Sequence, residues 1–285
     1  MKPHFYAILA AFFAGTVGIL VKLSGTDIHP MTLVFYRVFL AFLFLLIFVP
    51  LIDKNTFKIN KSDLKTFFFV GVLIAIAIAL FTIANTLAPV QNVFLLVSTA
   101  PFFVLIIAYF WLKEKITSTK IITLIIAIIG LIIINPFQSG FALGNLLAII
   151  TALFYALFIT AMRNTDKDHS IGSVVWFFFF STLILLPFPF IYGFGSFSLE
   201  SLKYILLLGF IATALQFLFY NMALKKVEAE TDSLINTIVS PIVAIILAVL
   251  IISEPLNLRT IIGGSILVFS GIYLETHKKK LKQDR

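Results

Sequence analysis

The sequence predicts an all-α polytopic membrane protein, ten transmembrane helices arranged as two inverted five-helix repeats. Composition is the first reason. Of 285 residues 61% are hydrophobic and 12% charged, with a mean hydropathy of +1.10, more apolar surface than a soluble core of this size can hide. A repeat is the second. The stretch TAPFFVLIIAYFWLKEKIT from Thr99 to Thr117 and the stretch VSPIVAIILAVLIISEPLN from Val239 to Asn257 each open an apolar run with proline and close it with glutamate. Pro101 to Pro241 and Glu114 to Glu254 are both offsets of 140 residues, about half the chain, which marks a duplication. The third is the distribution of positive charge.

Ten apolar segments follow one another: Phe5 to Leu23, Met31 to Ile52, Leu64 to Ala84, Val90 to Leu112, Thr119 to Ile134, Ala142 to Met162, Ile171 to Tyr192, Leu202 to Leu224, Asp232 to Ser253 and Leu258 to Leu274. Barrel strands are about 10 residues long and alternate in polarity, whereas these segments are longer and uniform, so each reads as a helix. The first segment, behind Lys2, has the outline of a signal peptide. It is long for one and has a counterpart in the second half, so it reads as a retained helix 1.

With ten spans, one side of the membrane collects Lys2, the lysines at 54, 58, 61 and 65, those at 113, 115 and 120, Arg163 and Lys167, Lys225 and Lys226, and the basic tail from Lys278 to Arg285. That is 17 of the 21 Lys and Arg residues, against Lys22, Lys203 and Arg259 on the other side and Arg37 inside helix 2. The excess places both termini in the cytoplasm, in the plasma (inner) membrane of a bacterium, and accounts for the net charge of +8 without a nucleic-acid partner. Five helices per half, over residues 1–138 and 139–285, make the second half enter from the opposite side. Inverted halves can exchange inward-open and outward-open conformations at similar energy, which is the architecture of alternating access.

Residues along both halves are similar to a known family. Ala14-Gly15 followed by Lys22, Pro30 followed by Arg37, then Pro101, Glu114 and Gly130 run through the first half. Gly144, Ala152, Tyr155, Arg163, Ala223-Leu224, Pro241, Glu254, Gly263 and Gly271 run through the second. Over essentially its whole length the chain resembles the EamA-type exporters of the drug/metabolite transporter superfamily. It departs from them at Ala14, where members often carry tryptophan, and at Phe177-Phe178, which hold the second-half place of Arg37. The resemblance implies export of small metabolites, such as amino acids or related compounds, through a central cavity lined mainly by helices 1, 3, 4, 6, 8 and 9.

Within those helices the deepest polar residues are Ser98, Thr99, Tyr155, Gln216, Asn236 and Thr237, the candidate substrate contacts. The ordinary account of each is a hydrogen bond across packed helices. Inverted symmetry pairs Lys22 with Arg163, so Glu254 is expected beside Lys22 on the outside and Glu114 beside Arg163 on the inside, as gate ion pairs; ordinary interfacial charges are the alternative. Pro101 and Pro241 are candidate helix kinks. Arg37 is expected to snorkel to the outer interface or to cap carbonyls there, with substrate contact as the alternative.

All 13 acidic residues stand at or near helix ends, so a carrier of lipophilic cations lacks its mid-membrane carboxylate. A multidrug or cation exporter is thus the lesser reading, and a non-transporting scaffold, with a dry and tightly packed bundle, is the reading from another class. Enzyme motifs are missing, the four histidines are scattered, and the chain has no cysteine. Neither catalysis, a metal nor a cofactor is expected. The expected partners are a small-molecule substrate and the lipid bilayer, with a monomer or weak homodimer as the assembly.

Overall fold

The computed structural model describes residues 3–25, 27–59, 61–111, 118–134, 140–164, 171–196, 198–224 and 229–283, with no side-chain detail at a few helical positions among them. It is helical throughout these residues. The elements are α1 (Pro3–Leu23), α2 (Pro30–Ile52), α3 (Lys61–Leu87), α4 (Val90–Val97), α5 (Ala100–Trp111), α6 (Ser118–Ile134), α7 (Ala142–Asn164), α8 (Ser173–Leu185), α9 (Pro187–Tyr192), α10 (Leu199–Gly209), a π-helical turn (Phe210–Leu215), α11 (Gln216–Leu224), α12 (Ala229–Ile252) and α13 (Leu258–Gln283).

Seven stretches among the described residues are long and apolar enough to cross a bilayer: Phe5–Leu23, Pro30–Ile52, Asp63–Leu87, Val90–Trp111, Ala142–Met162, Ser173–Tyr192 and Leu199–Ala223. Shorter apolar helices occupy Ile121–Gly130, Ile238–Ile252 and Leu258–Ser270. Every element lies within one of the ten predicted segments or extends it by a few residues, except α13, which runs nine residues past Leu274 to Gln283. The outward faces confirm the solvent: on α6 alone Ile121, Ile122, Ile125, Ile128, Ile129 and Ile132 are exposed, a stripe that water would not tolerate and lipid would.

Packing follows the small residues. α1 lies along α12 and α11, α3 along α7 and α8, α7 against α4 and α5, α2 against α8 and α10, and α6 against α13. A Cβ on Gly15 would stand 2.6 Å from Val243 Cβ and 2.8 Å from the Ser240 carbonyl oxygen, so α1 and α12 touch almost backbone to backbone. Gly130 meets the Gly263 carbonyl in the same way where α6 crosses α13.

The ends of α2 are tied to the second half of the chain. At its start the Thr32 hydroxyl donates to the Gly193 carbonyl (2.9 Å), the Tyr36 hydroxyl donates to the Phe194 carbonyl (2.9 Å), and His29 stacks on Tyr192 at 3.9 Å. Gly193 has φ of +84°, which a side chain would resist, and this turn is what presents its carbonyl to α2. Past its other end Trp176 Nε1 donates to the Thr56 carbonyl (2.9 Å) and the Gly172 amide to Asp53 Oδ2 (3.4 Å). Between them Phe158, Phe177, Phe178 and Phe217 form a fully buried block of rings, with centroids 5.1 to 6.3 Å apart. Phe177-Phe178, which stand where the other half has Arg37, are therefore core.

Two prolines at equivalent places behave differently. Near Pro101 the helix is interrupted: α4 ends at Val97 and α5 begins at Ala100, with Ser98 and Thr99 between. Pro241 is buried inside α12, which runs unbroken.

Close approach at Gly15 sets a stability test. Gly15→Ala drives a methyl into the α12 backbone and should cost about 1–3 kcal/mol, read as a lower melting temperature in detergent. Gly264→Ala, whose Cβ would meet only the mobile methyls of Leu95 at 2.9 Å, should cost less.

Candidate substrate site

Arg37 lies seven residues into α2, about 10 Å along the helix from Pro30 at a rise of 1.5 Å per residue. Instead of turning back to the interface, its side chain is 3% exposed and points among other helices. Here the expectation of snorkelling is overturned, and the reason is local. Two hydroxyls are placed to receive the guanidinium within the bundle: Nε donates to Thr213 Oγ1 at 2.9 Å and Nη1 to Thr82 Oγ1 at 3.0 Å. The cation also lies 5.8 Å from the Phe81 ring centroid, and Tyr155 is within its electrostatic reach.

Both hydroxyls are committed as acceptors. A hydroxyl has one proton, and Thr82 spends it on the Ile78 carbonyl (2.7 Å) while Thr213 spends it on the Leu208 carbonyl (2.7 Å). What each can offer Arg37 is a lone pair. The Thr213 bond spans five residues and belongs to the π turn, whose wider winding releases the Leu208 carbonyl from the regular ladder. Gly209, just before the turn, lets α10 approach α2: a Cβ there would stand 2.5 Å from Leu40 Cβ and 3.4 Å from the Arg37 carbonyl oxygen.

Asn85 stands one turn beyond Thr82 on α3, and Gln216 opens α11 three residues after Thr213. Asn85 is fully buried and Gln216 is 9% exposed; Asn85 Nδ2 donates to the Phe81 carbonyl (2.9 Å). Asn85 Oδ1 and Gln216 Oε1 have no hydrogen-bond partner, and neither does Asn236 Oδ1 on α12. Buried acceptors without donors are costly, so such a cluster is where a ligand's donors would be received.

At the α12–α13 corner a second arrangement stands. α12 ends with Ser253 in the left-handed region (φ +53°) and the Glu254 amide donating back to the Ala248 carbonyl (3.1 Å), a helix-closing turn that swings Glu254 toward α4. Its carboxylate accepts from the Val90 amide (2.8 Å) and the Gln91 amide (3.3 Å), while Gln91 Nε2 donates to the Pro255 carbonyl (2.7 Å). Glu254 is thus an N-cap supplied from another helix, charge-matched to the start of α4.

Comparison with known proteins gives these features a context. The model of the EamA-like transporter family matches the chain twice, over residues 1–135 and 142–276. The chain belongs to the EamA-like transporter family. It is 25% identical to an uncharacterized transporter of Clostridium kluyveri, covering 98% of this chain and 94% of that protein. An uncharacterized transporter of Archaeoglobus fulgidus is 26% identical, over 98% and 100% respectively. A protein of Rickettsia conorii named S-adenosylmethionine uptake transporter is 25% identical over 91% of this chain and 87% of its own length. A solved crystal structure superposes with a TM-score of 0.72 at 12% identity, covering 99% of both chains, so the fold is shared.

Set against the residues expected from the sequence, this transporter's structure sorts them. Tyr155 is half-buried on α7 near Arg37, and Gln216 and Asn236 bring unpartnered amide oxygens. Ser98 and Thr99 spend their protons locally, on the carbonyls of Phe94 (2.9 Å) and Leu96 (2.6 Å), at the break between α4 and α5. Lys22 lies in the electrostatic reach of Glu254, and both carboxylate oxygens accept from the backbone of α4. Glu114 lies outside the described residues, as do the side chains of Arg163 and Thr237. Missed in the sequence were Thr82 and Thr213. Their signal was a Thr followed three residues later by an amide, Thr82 with Asn85 and Thr213 with Gln216, in two of the cavity helices.

The cap and the turn behind it predict separate effects. Glu254→Ala should lower stability by about 1–2 kcal/mol in detergent melting, with Glu254→Gln recovering part of it, and should cost more than Lys22→Ala. Ser253→Gly, which relieves a left-handed serine, should raise stability by about 1 kcal/mol.

Proposed function

We propose that the chain is a secondary transporter which carries small polar metabolites, amino acids or related compounds, across the bacterial plasma membrane by alternating access between two inverted five-helix repeats. The observation that carries this reading is the symmetry of the helix packing. Count α4–α5, α8–α9 and α10–α11 as one span each, giving ten. Exchanging each span with the one five places away then returns the main packed pairs among the described residues: 1 on 9 becomes 6 on 4, 3 on 6 becomes 8 on 1, and 3 on 7 becomes 8 on 2, while 2 on 7 and 5 on 10 map onto themselves. Two matches to one family model, at residues 1–135 and 142–276, support the same division. A path between such halves is lined by spans 1, 3, 4, 6, 8 and 9, and it can open to either side by rocking about α2 and α8.

The positive-inside count supports cytoplasmic termini. Export is the direction expected from the family resemblance, while the Rickettsia conorii relative is named for uptake. A carrier with no acidic residue mid-span lacks the usual proton relay, so the prevailing substrate gradients set its direction. The same lack, together with a buried cation at Arg37, disfavours lipophilic cations as substrates. The unpartnered acceptors on α11 and α12 disfavour a scaffold, which has no use for them.

Purified full-length protein in proteoliposomes, loaded with one amino acid and supplied outside with the labelled compound, should show counterflow for at least one member of a panel that also includes amines and S-adenosylmethionine. The rate should be insensitive to an imposed pH gradient. Failure of every class to exchange would remove the transporter reading.

A further inference from the structure

Resting on that transporter reading, we propose that Arg37 is the anchor for a carboxylate on the transported compound, so that the site selects carboxylate-bearing metabolites and the guanidinium grips them by its free edge. A guanidinium has five N–H donors. Two are used, by Thr213 and Thr82, and the remaining three meet no acceptor among the described residues. Neither threonine brings charge. None of the 13 acidic residues lies mid-span, and Glu254, the acid closing α12, is held by the α4 backbone. A positive charge 3% exposed within a bilayer protein thus meets no carboxylate among the described residues.

The geometry favours a planar oxyanion. With Nε donating to a hydroxyl of the π turn and Nη1 to one of α3, the side chain is held away from the interface, and the guanidinium fork keeps three donors, both on Nη2 and one on Nη1. That fork matches the two oxygens of a carboxylate. A second observation complements it. Asn85 Oδ1 and Gln216 Oε1, each three residues along the chain from one of the two threonines, are buried and have no donor, and an α-ammonium group supplies donors. Donors at one end and acceptors at the other describe the polar end of an amino acid. At the place equivalent to Arg37 in the opposite half, Phe177 and Phe178 stand as packed rings, so no cation repeats there.

The test compares L-methionine, L-phenylalanine and L-threonine with their carboxamides, which keep the ammonium group and lose the charge on the carboxylate. Counterflow and ligand-induced shifts in melting temperature are read for full-length wild type, Arg37→Gln, Arg37→Lys and Thr213→Ala. Wild type should prefer at least one acid over its amide by about 10- to 100-fold in KM, the range expected for a charged hydrogen bond. Arg37→Gln should erase that preference by weakening the acid alone, Arg37→Lys should keep part of it, and Thr213→Ala should raise KM for the acid only. Equal handling of acid and amide by wild type overturns the proposal, as does an Arg37→Gln protein that keeps the preference or loses acid and amide alike. If Arg37→Gln fails to fold, the wild-type preference and Thr213→Ala decide. If no probe exchanges but the acids still raise the melting temperature of wild type and not of Arg37→Gln, the anchor stands and the transport reading falls; if they raise neither, the anchor falls too.

Discussion

A guanidinium in the middle of a bilayer protein is the constraint on which the rest of the structure turns. Charge at that depth is expensive, and the usual escape for an arginine is to reach the headgroups. Arg37 cannot, because hydroxyls from α3 and from the π turn hold it sideways. Its neighbours are arranged to make this possible: each hydroxyl gives its proton to its own helix, Gly209 admits the backbone of α10, and the widened turn aims Thr213 at the cation. Remove either hydroxyl and the charge loses one of its two acceptors.

Around that point the fold divides labour. α2 is fastened at both ends to the second half of the chain, through Thr32 and Tyr36 at one end and the Asp53–Thr56 turn beyond the other, so Arg37 rides on a fixed element. The helices that pack through glycine, α1 on α12 above all, touch with little interlocking of large side chains, and such smooth faces suit parts that must slide. Glu254 joins two of these elements, α12 and α4, by capping one from the end of the other. A carboxylate bound to backbone amides holds its partner helix in orientation, whereas an ion pair with Lys22 would have bound only a flexible side chain.

Asymmetry within a symmetric frame is what gives such a carrier chemical preference. Equivalent positions in the two halves carry Arg37 on one side and the Phe177-Phe178 ring block on the other. Pro101 stands beside a true helix break and Pro241 within a continuous helix. The packing of helices repeats while the chemistry does not, as expected if the frame serves movement and the departures serve recognition.

Much of the fold was legible in the sequence because the bilayer imposes a simple rule. Backbone polar groups must be satisfied internally, so apolar runs of about 20 residues become helices, and charge counts and repeat spacing follow without knowledge of packing. The helical segments and the repeated Pro to Glu stretch came from that rule. The direction taken by Arg37, the partnership of Thr82 with Thr213, the π turn and the use of Glu254 as a cap did not. Each depends on residues 45 to 176 positions apart meeting in space, and no local pattern encodes which acceptor a long side chain will find. Sequence by itself determined that this chain crosses the membrane in two similar halves; tertiary structure alone decided where its one embedded charge would point, because that is settled by which hydroxyls lie within hydrogen-bonding distance of it.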